Sequence, residues 1–110
     1  MKVEQRGHTT IIRNTDGNSA DFQVKIVHEY NSFKLQNLIL DLSHDKSLTM
    51  KDIKSFIDLT KEHKKGKKSL ILVTDNVDFN AVPTSVNVVP SILEAHDIIE
   101  MEEIERDMGF

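Results

Sequence analysis

The stretch that decides the fold is NLILDLSHDKSLTMKDIKSF, residues 37–56. It opens with the apolar run NLILDL (37–42), and a run this short that is apolar on both faces is typical of a central strand in a parallel sheet. A helix is predicted to begin at Thr49, whose hydroxyl can accept from the Asp52 amide while the Asp52 carboxylate reaches back. The stretch therefore predicts a strand, a loop and a capped helix.

The helix that begins at Thr49 is predicted to continue to KKGKK, residues 64–68. Lysines there complement the negative end of the helix, and Gly66 can take the left-handed conformation that ends many helices. Its inner face is predicted to hold Met50, Ile53, Phe56, Ile57 and Thr60.

Upstream of residue 37, the sequence predicts a hairpin and a helix. Residues 2–5 and 8–13 favour two strands joined at Arg6-Gly7, and NTDGNS (14–19) breaks the chain. Asn18 or Ser19 can cap the helix that follows. One apolar face of that helix is expected from Phe22, Ile26, Val27 and Tyr30, and the helix is expected to end near Asn31-Ser32.

Downstream, SLILVT (69–74) and SVNVV (85–89) predict two more strands, with one helical turn between them around residues 77–81. Ser91 and Glu94 have capping-box spacing and predict a last, acidic helix over about 91–107. Leu93, Ile99 and Ile104, together with His96 or Ile98, are expected to face inward. The element order predicts one α/β domain over residues 1–110, a four- or five-stranded mixed sheet with helices packed mainly on one side.

Composition narrows the class of protein further. The chain has 110 residues and no cysteine, and its first residues lack the apolar core of a signal peptide. No apolar run is long enough to span a membrane, so we expect a cytoplasmic protein. Residues 94–107 carry seven acids and one arginine, a net charge of −6 against −4 for the whole chain. This balance disfavours nucleic acid as a partner.

The phrases NLILDLS, KKGKKSLILV and VVPSILEAHDII, with the spacing between them, resemble the STAS family of sulfate-transporter and anti-sigma-factor-antagonist domains. The resemblance covers most of residues 9–100. The last segment, IIEMEEIERDMGF, resembles the tail of small stand-alone STAS-like proteins from the Bacteroidetes group, some of which carry a ribonuclease Z label.

The resemblance implies a non-enzymatic regulatory domain that acts through a protein partner. The family binds partners around the start of its second helix, so the implied contact surface here is Ser47, Thr49, Lys51 and Asp52. The family is switched by phosphorylation of a Ser or Thr at that helix start. In the simplest alignment Met50 occupies the acceptor position, which argues against the switch, and Thr49 and Ser47 are only weak candidate acceptors.

The residues themselves give no catalytic or cofactor site. The five histidines, His8, His28, His44, His63 and His96, include no H-x-H or H-x-x-x-H pair, so neither a metal site nor the zinc cluster of a ribonuclease Z is predicted. They are interpreted as surface or capping histidines. The sequence has no phosphate-binding glycine loop. We therefore predict that the chain is not an enzyme.

Two charged segments leave alternatives open. KEHKKGKK, residues 61–68, holds five lysines, which suit the end of a helix. The alternative is an RNA contact, which would make the chain an accessory protein of RNA processing, a companion of a ribonuclease Z. In the acidic helix, Met101, Met108 and Phe110 either fold back onto the domain or form an exposed patch for a protein contact.

Overall fold

Ten regular elements and one short turn make up the computed structural model, which describes residues 1–15 and 17–109. The strands are β1 Lys2–Arg6, β2 Thr9–Arg13, β3 Asn37–Asp41, β4 Leu70–Val73 and β5 Asn87–Val89. The helices are α1 Ser19–His28, α2 Tyr30–Phe33, α3 Met50–Lys54, α4 Ile57–Lys65 and α5 Ile92–Asp107, with a 3-10 turn at Phe79–Ala81.

All these strands belong to one mixed sheet in the order β1-β2-β3-β4-β5. The pair β1–β2 is antiparallel and turns through Gly7, whose φ of 58° is in the left-handed region that glycine tolerates. The pairs from β2 to β5 are parallel, with Ile11 beside Ile39 and Ile39 beside Ile71. The predicted hairpin and mixed sheet are confirmed.

Each face of the sheet has its own core, because side chains alternate along a strand. Ile12, Leu40 and Leu72 lie on one face, where residues of α1 to α4 such as Phe22 cover them. Ile11, Ile39 and Ile71 lie on the other face. There Ala95 and Ile99 of α5 complete the core. Helices α1 to α4 therefore pack on one side, as predicted for most of the helices, and α5 covers the opposite side.

The caps predicted at two helix starts are present. The Asn18 side-chain oxygen accepts from the Asp21 amide at 2.9 Å, so Asn18 rather than Ser19 caps α1. The Ser91 hydroxyl accepts from the Glu94 amide at 3.2 Å at the start of α5. In both places a polar side chain satisfies an amide that has no partner inside the helix.

The prediction of one continuous helix from Thr49 to residue 68 is wrong in one respect, because the structure has two helices there, α3 and α4. Ser55 and Phe56 interrupt it, and the Phe56 amide bonds to the carbonyl of Ile53, three residues back instead of four. The Phe56 ring is fully buried between the two helices and the sheet. Apolar periodicity reports only that Ile53 and Phe56 face the core, so it cannot show this local tightening of the backbone.

The prediction that Gly66 takes the left-handed conformation at the end of α4 is also wrong. Gly66 has φ −79°, and the left-handed residue is Lys67, with φ 61°. The Lys67 amide bonds to the Lys64 carbonyl and the Lys68 amide to that of His63. These bonds close the turn one residue later than the glycine suggested, and an L-residue takes the conformation that glycine would adopt with less strain.

Helix α5 presents an inner face that differs in part from the predicted one, since Ile98 packs against the core as expected. Ile99 is buried, as expected, and Ala95 lies beside it, but Leu93 and Ile104 are exposed. Three charged residues take the inward positions of the second half of the helix: Glu102, Glu103 and Arg106 bond to polar groups of the sheet. The apolar pattern did not reveal this face, because its contacts to the sheet are polar.

Candidate partner-binding site

The segment between β3 and α3, residues 42–49, lies where the parallel strands end. In open α/β sheets the loops beyond the carboxyl ends of parallel strands are the usual place for ligands. Leu42 and Leu48 are buried and fix both ends of the segment to the core. The polar residues between and after them are therefore presented on a backbone with two apolar anchors.

Asp45 holds this segment in its conformation. Its carboxylate is buried and accepts four hydrogen bonds, from the amide and hydroxyl of Ser19 at 3.0 and 2.9 Å and from those of Ser47 at 3.0 and 2.7 Å. The Ser47 hydroxyl is the largest influence lowering the pKa of Asp45, although burial opposes it. The carboxylate is thus held ionised and joins the loop to the start of α1.

A second carboxylate repeats this local geometry four residues earlier. Asp41, at the end of β3, accepts from the amide and hydroxyl of Ser43 at 3.0 and 2.6 Å. Both turns follow from a D-x-S sequence, in which a short carboxylate bonds the backbone two residues on. Sequence reasoning missed Asp41 and Asp45 as organising residues, and the repeated D-x-S was the signal that could have identified them.

The predicted capping box at the start of α3 is present. The Thr49 hydroxyl accepts from the Asp52 amide at 3.4 Å, and the Asp52 carboxylate accepts from the Thr49 amide at 2.9 Å. Ser47, Thr49 and Lys51 are exposed, and Asp52 is partly buried. The structure therefore brings the four residues of the predicted contact surface together on one short stretch of surface.

Both candidate phosphate acceptors already have structural hydrogen bonds. The Ser47 hydroxyl donates to the Asp45 carboxylate, and the Thr49 hydroxyl donates to Asp52 while accepting from its amide. A phosphate on either oxygen would stand beside a carboxylate, and the like charges would repel. This local arrangement opposes phosphorylation at either residue.

A hollow of ≈ 460 Å³ lies beside this surface, at the ends of β2 and β3. Its lining includes Arg13, Asn14, Asp41 and His44. Arg13 lies 3.7 Å from the Asp41 carboxylate, so part of its charge is already balanced inside the protein. Asn14 is buried, and its side-chain nitrogen has no hydrogen-bond partner among residues 1–15 and 17–109. Sequence reasoning gave no role to this hollow.

The lysine-rich segment 61–68 meets α5 at the opposite end of the strands. Lys67, Lys68 and Arg106 line a hollow of ≈ 390 Å³ together with Glu103 and Asp107. Acids and bases therefore share the lining of this hollow. Arg106 also belongs to the polar network of α5, in which it donates to the Ser69 hydroxyl at 3.0 Å.

One histidine is neither a surface nor a capping residue, contrary to the prediction. His63 is fully buried: its Nδ1 lies 2.7 Å from the Tyr30 hydroxyl and its Nε2 lies 2.7 Å from the Gln36 carbonyl oxygen. Since a carbonyl only accepts, Nε2 carries the proton and Nδ1 accepts from Tyr30. Burial is the main cause that lowers the pKa of His63, so the ring is neutral near pH 7.

Across residues 1–15 and 17–109, no three His, Asp or Glu side chains come together in a way that could hold a metal ion. In the same residues, no helix has both the length and the apolar character needed to cross a membrane.

Comparison with known proteins adds no identification. Neither a scan against protein-family models nor a search of curated proteins finds a match to this chain.

Proposed function

We propose that this chain is a non-enzymatic STAS-like interaction domain that binds a protein partner at the start of α3. The observation that carries the proposal is the Asp45-locked segment, which presents Ser47, Thr49 and Lys51 on a fixed backbone at the carboxyl ends of the parallel strands. A preformed surface of this kind binds without the entropic cost of ordering a loop.

The observed element order supports the STAS-like part of the proposal. It follows β-β-α-β-α-β-turn-β-α once α1–α2 and α3–α4 are each counted as one interrupted helix. This is the order predicted from the sequence, and the three phrases that resemble the STAS family fall within it. The phrases NLILDLS and KKGKKSLILV supply β3 and β4 with their flanking turns, and VVPSILEAHDII supplies the end of β5 and the first half of α5.

The proposal includes no phosphorylation switch. The hydroxyls of Ser47 and Thr49 serve the Asp45 lock and the α3 cap. In the simplest alignment with the family, Met50 falls at the acceptor position. The contact surface can therefore bind its partner at all times, and the extent of binding is regulated by the amount of the partner or of this chain.

The test is affinity capture of the tagged chain from its own cells, in parallel with two charge-reversal variants. Lys51→Glu changes an exposed residue of the contact surface, and Lys65→Glu changes an exposed lysine at the end of α4. We expect a protein partner that is recovered with the unmodified chain and with Lys65→Glu but lost with Lys51→Glu. Retention of every captured protein by Lys51→Glu would contradict the proposal.

A second candidate function is RNA contact by residues 61–68, in an accessory protein of RNA processing. The observation in its favour is that Lys67 and Lys68 lie beside Arg106 around one hollow. Glu103 and Asp107 share the lining, which weakens the positive potential there. RNA binding predicts an affinity that falls steeply with salt and is lost in Lys65→Glu, whereas the first proposal predicts neither.

A further inference from the structure

The outward face of α5 carries large apolar side chains that the domain does not bury. Met101, Ile104 and Met108 are 61%, 58% and 62% exposed, and Leu93 is 72% exposed. Single exposed apolar residues are ordinary on protein surfaces, but here three lie on one 16-residue helix and the fourth, Met108, is its C-cap.

Helical geometry places these four residues on one stripe. Met101, Ile104 and Met108 follow the i, i+3, i+7 spacing of a single helix face. Leu93 lies on the same face about two turns earlier, and the exposed Asp97 lies between Leu93 and Met101 on that face. The stripe points away from Ala95 and Ile99, which attach α5 to the sheet. Over 15 residues at about 1.5 Å per residue it is roughly 22 Å long, and the sheet core does not use it.

The exposed charged side chains of α5 itself are acids, although Glu105 and Asp107 also line hollows with lysines of residues 64–68. The exposed acids of α5 are Glu94, Asp97, Glu100, Glu105 and Asp107. The bases of the helix are His96 and Arg106, and Arg106 is turned toward the sheet, where it donates to Ser69. A partner that covers the apolar stripe must therefore supply positive charge on both sides of its own apolar contacts.

We propose that this face of α5 is a docking surface for a basic amphipathic helix of a protein partner. Apolar residues of that helix pack between Met101, Ile104 and Met108, and its lysines and arginines lie against the flanking carboxylates. The flexible methionines allow such a face to fit more than one sequence. A second copy of the chain is the poorer occupant, because two α5 helices face to face would bring their acids together.

The probe is a labelled 18-residue helical peptide with leucine at every third or fourth position and lysine elsewhere. Its control is the same peptide with glutamate for lysine. Binding to the full chain is followed by fluorescence anisotropy at 50 and 300 mM salt. The test variant is Met101→Gln with Ile104→Gln, and the matched control is Val24→Gln with Val27→Gln, two exposed apolar residues of α1 on the other side of the sheet.

We expect the lysine peptide to bind, to weaken with salt, and to lose about tenfold or more in affinity to the α5 variant. The α1 variant should retain the affinity of the unmodified chain. Equal binding of the glutamate peptide, or an equal loss in the α1 variant, would overturn the proposal. So would self-association in sedimentation that only the α5 variant abolishes, because that would assign the stripe to a second copy.

Discussion

The carboxylate of Asp45 accepts from two serines, one 26 residues away and one only two residues away along the chain. It is the residue-scale basis of the candidate partner site, because it fixes the loop relative to α1. Asp45→Asn keeps one acceptor oxygen but turns an amide NH₂ toward serine donors. We expect the free energy of unfolding to fall by about 2–3 kcal/mol, measured by urea denaturation.

Asp75→Asn is the matched control for Asp45→Asn, since Asp75 is exposed, and it should change stability by less than about 0.5 kcal/mol. The lowered pKa of Asp45 also gives a pH signature: its contribution is complete above the unfolded pKa, near 3.8, and is lost as pH falls through the folded pKa. Equal free energies of unfolding for Asp45→Asn and Asp75→Asn would show that Asp45 does not hold the loop in place.

Lys67 and Gly66 test the end of α4 at the same scale. Lys67 adopts φ 61°, which favours glycine, so Lys67→Gly should raise the free energy of unfolding by about 0.5–1 kcal/mol. Gly66→Ala should be tolerated, since φ is −79° and an added Cβ would meet the His63 carbonyl at 3.5 Å, an ordinary van der Waals contact. Thermal melts of both variants check this, and a costly Gly66→Ala with a neutral Lys67→Gly would reverse the assignment.

At the scale of the element, the start of α3 depends on the Thr49 cap. Thr49→Ala removes the acceptor for the Asp52 amide and should cost about 1 kcal/mol in chemical denaturation, whereas Thr49→Ser retains it and should cost much less. Equal effects of the two substitutions would show that the hydroxyl does not cap. The comparison also separates partner binding from folding, since Thr49→Ser keeps the helix start intact.

Helix α5 is attached at its second half by polar contacts. Glu102 accepts from the Ser69 hydroxyl and from the Asn87 side chain at 3.1 Å, so it connects β4, β5 and the helix. Glu102→Gln should cost about 1–2 kcal/mol in the free energy of unfolding. Glu105→Gln, on an exposed position of the same helix, should be nearly neutral. Similar urea midpoints for the two variants would argue that the network does not hold α5.

Sequence patterns predict elements whose signals are local, and they do not predict contacts between residues that are far apart in the chain. Runs such as SLILVT and caps such as Ser91 are local, so the strands and helix starts were predicted. The charged inner face of α5 and the Asp45 lock depend on groups distant in sequence, namely Ser69 and Ser19, and no periodicity contains that information. The interruption at Phe56 could not be predicted either, because an apolar residue at that position fits a continuous helix as well as an interrupted one.

For the whole molecule, the contact between buried His63 and partly buried Tyr30 connects stability to pH. The pKa of His63 is lowered in the folded state, so the unfolded chain binds a proton more readily, at a pKa near 6.5. Stability should therefore be highest above that pH and decline as pH falls from about 7 toward the folded pKa. The check is urea denaturation from pH 5 to 8.

The test variant for this pH dependence is His63→Gln, which removes the titrating ring. The control variant is His28→Gln, at an exposed position of α1. The decline below pH 7 should vanish in His63→Gln and persist in His28→Gln. The opposite pattern would place the titration elsewhere in the molecule.

Amide hydrogen exchange, with and without the partner recovered by affinity capture, tests the central claim most directly. If the start of α3 is the contact surface, binding should protect amides 43–54, leave α4 unchanged, and leave Ser47 and Thr49 unphosphorylated in the same sample. Protection confined to residues 61–68 or to α5, or a phosphate on Thr49 that is required for binding, would contradict the account.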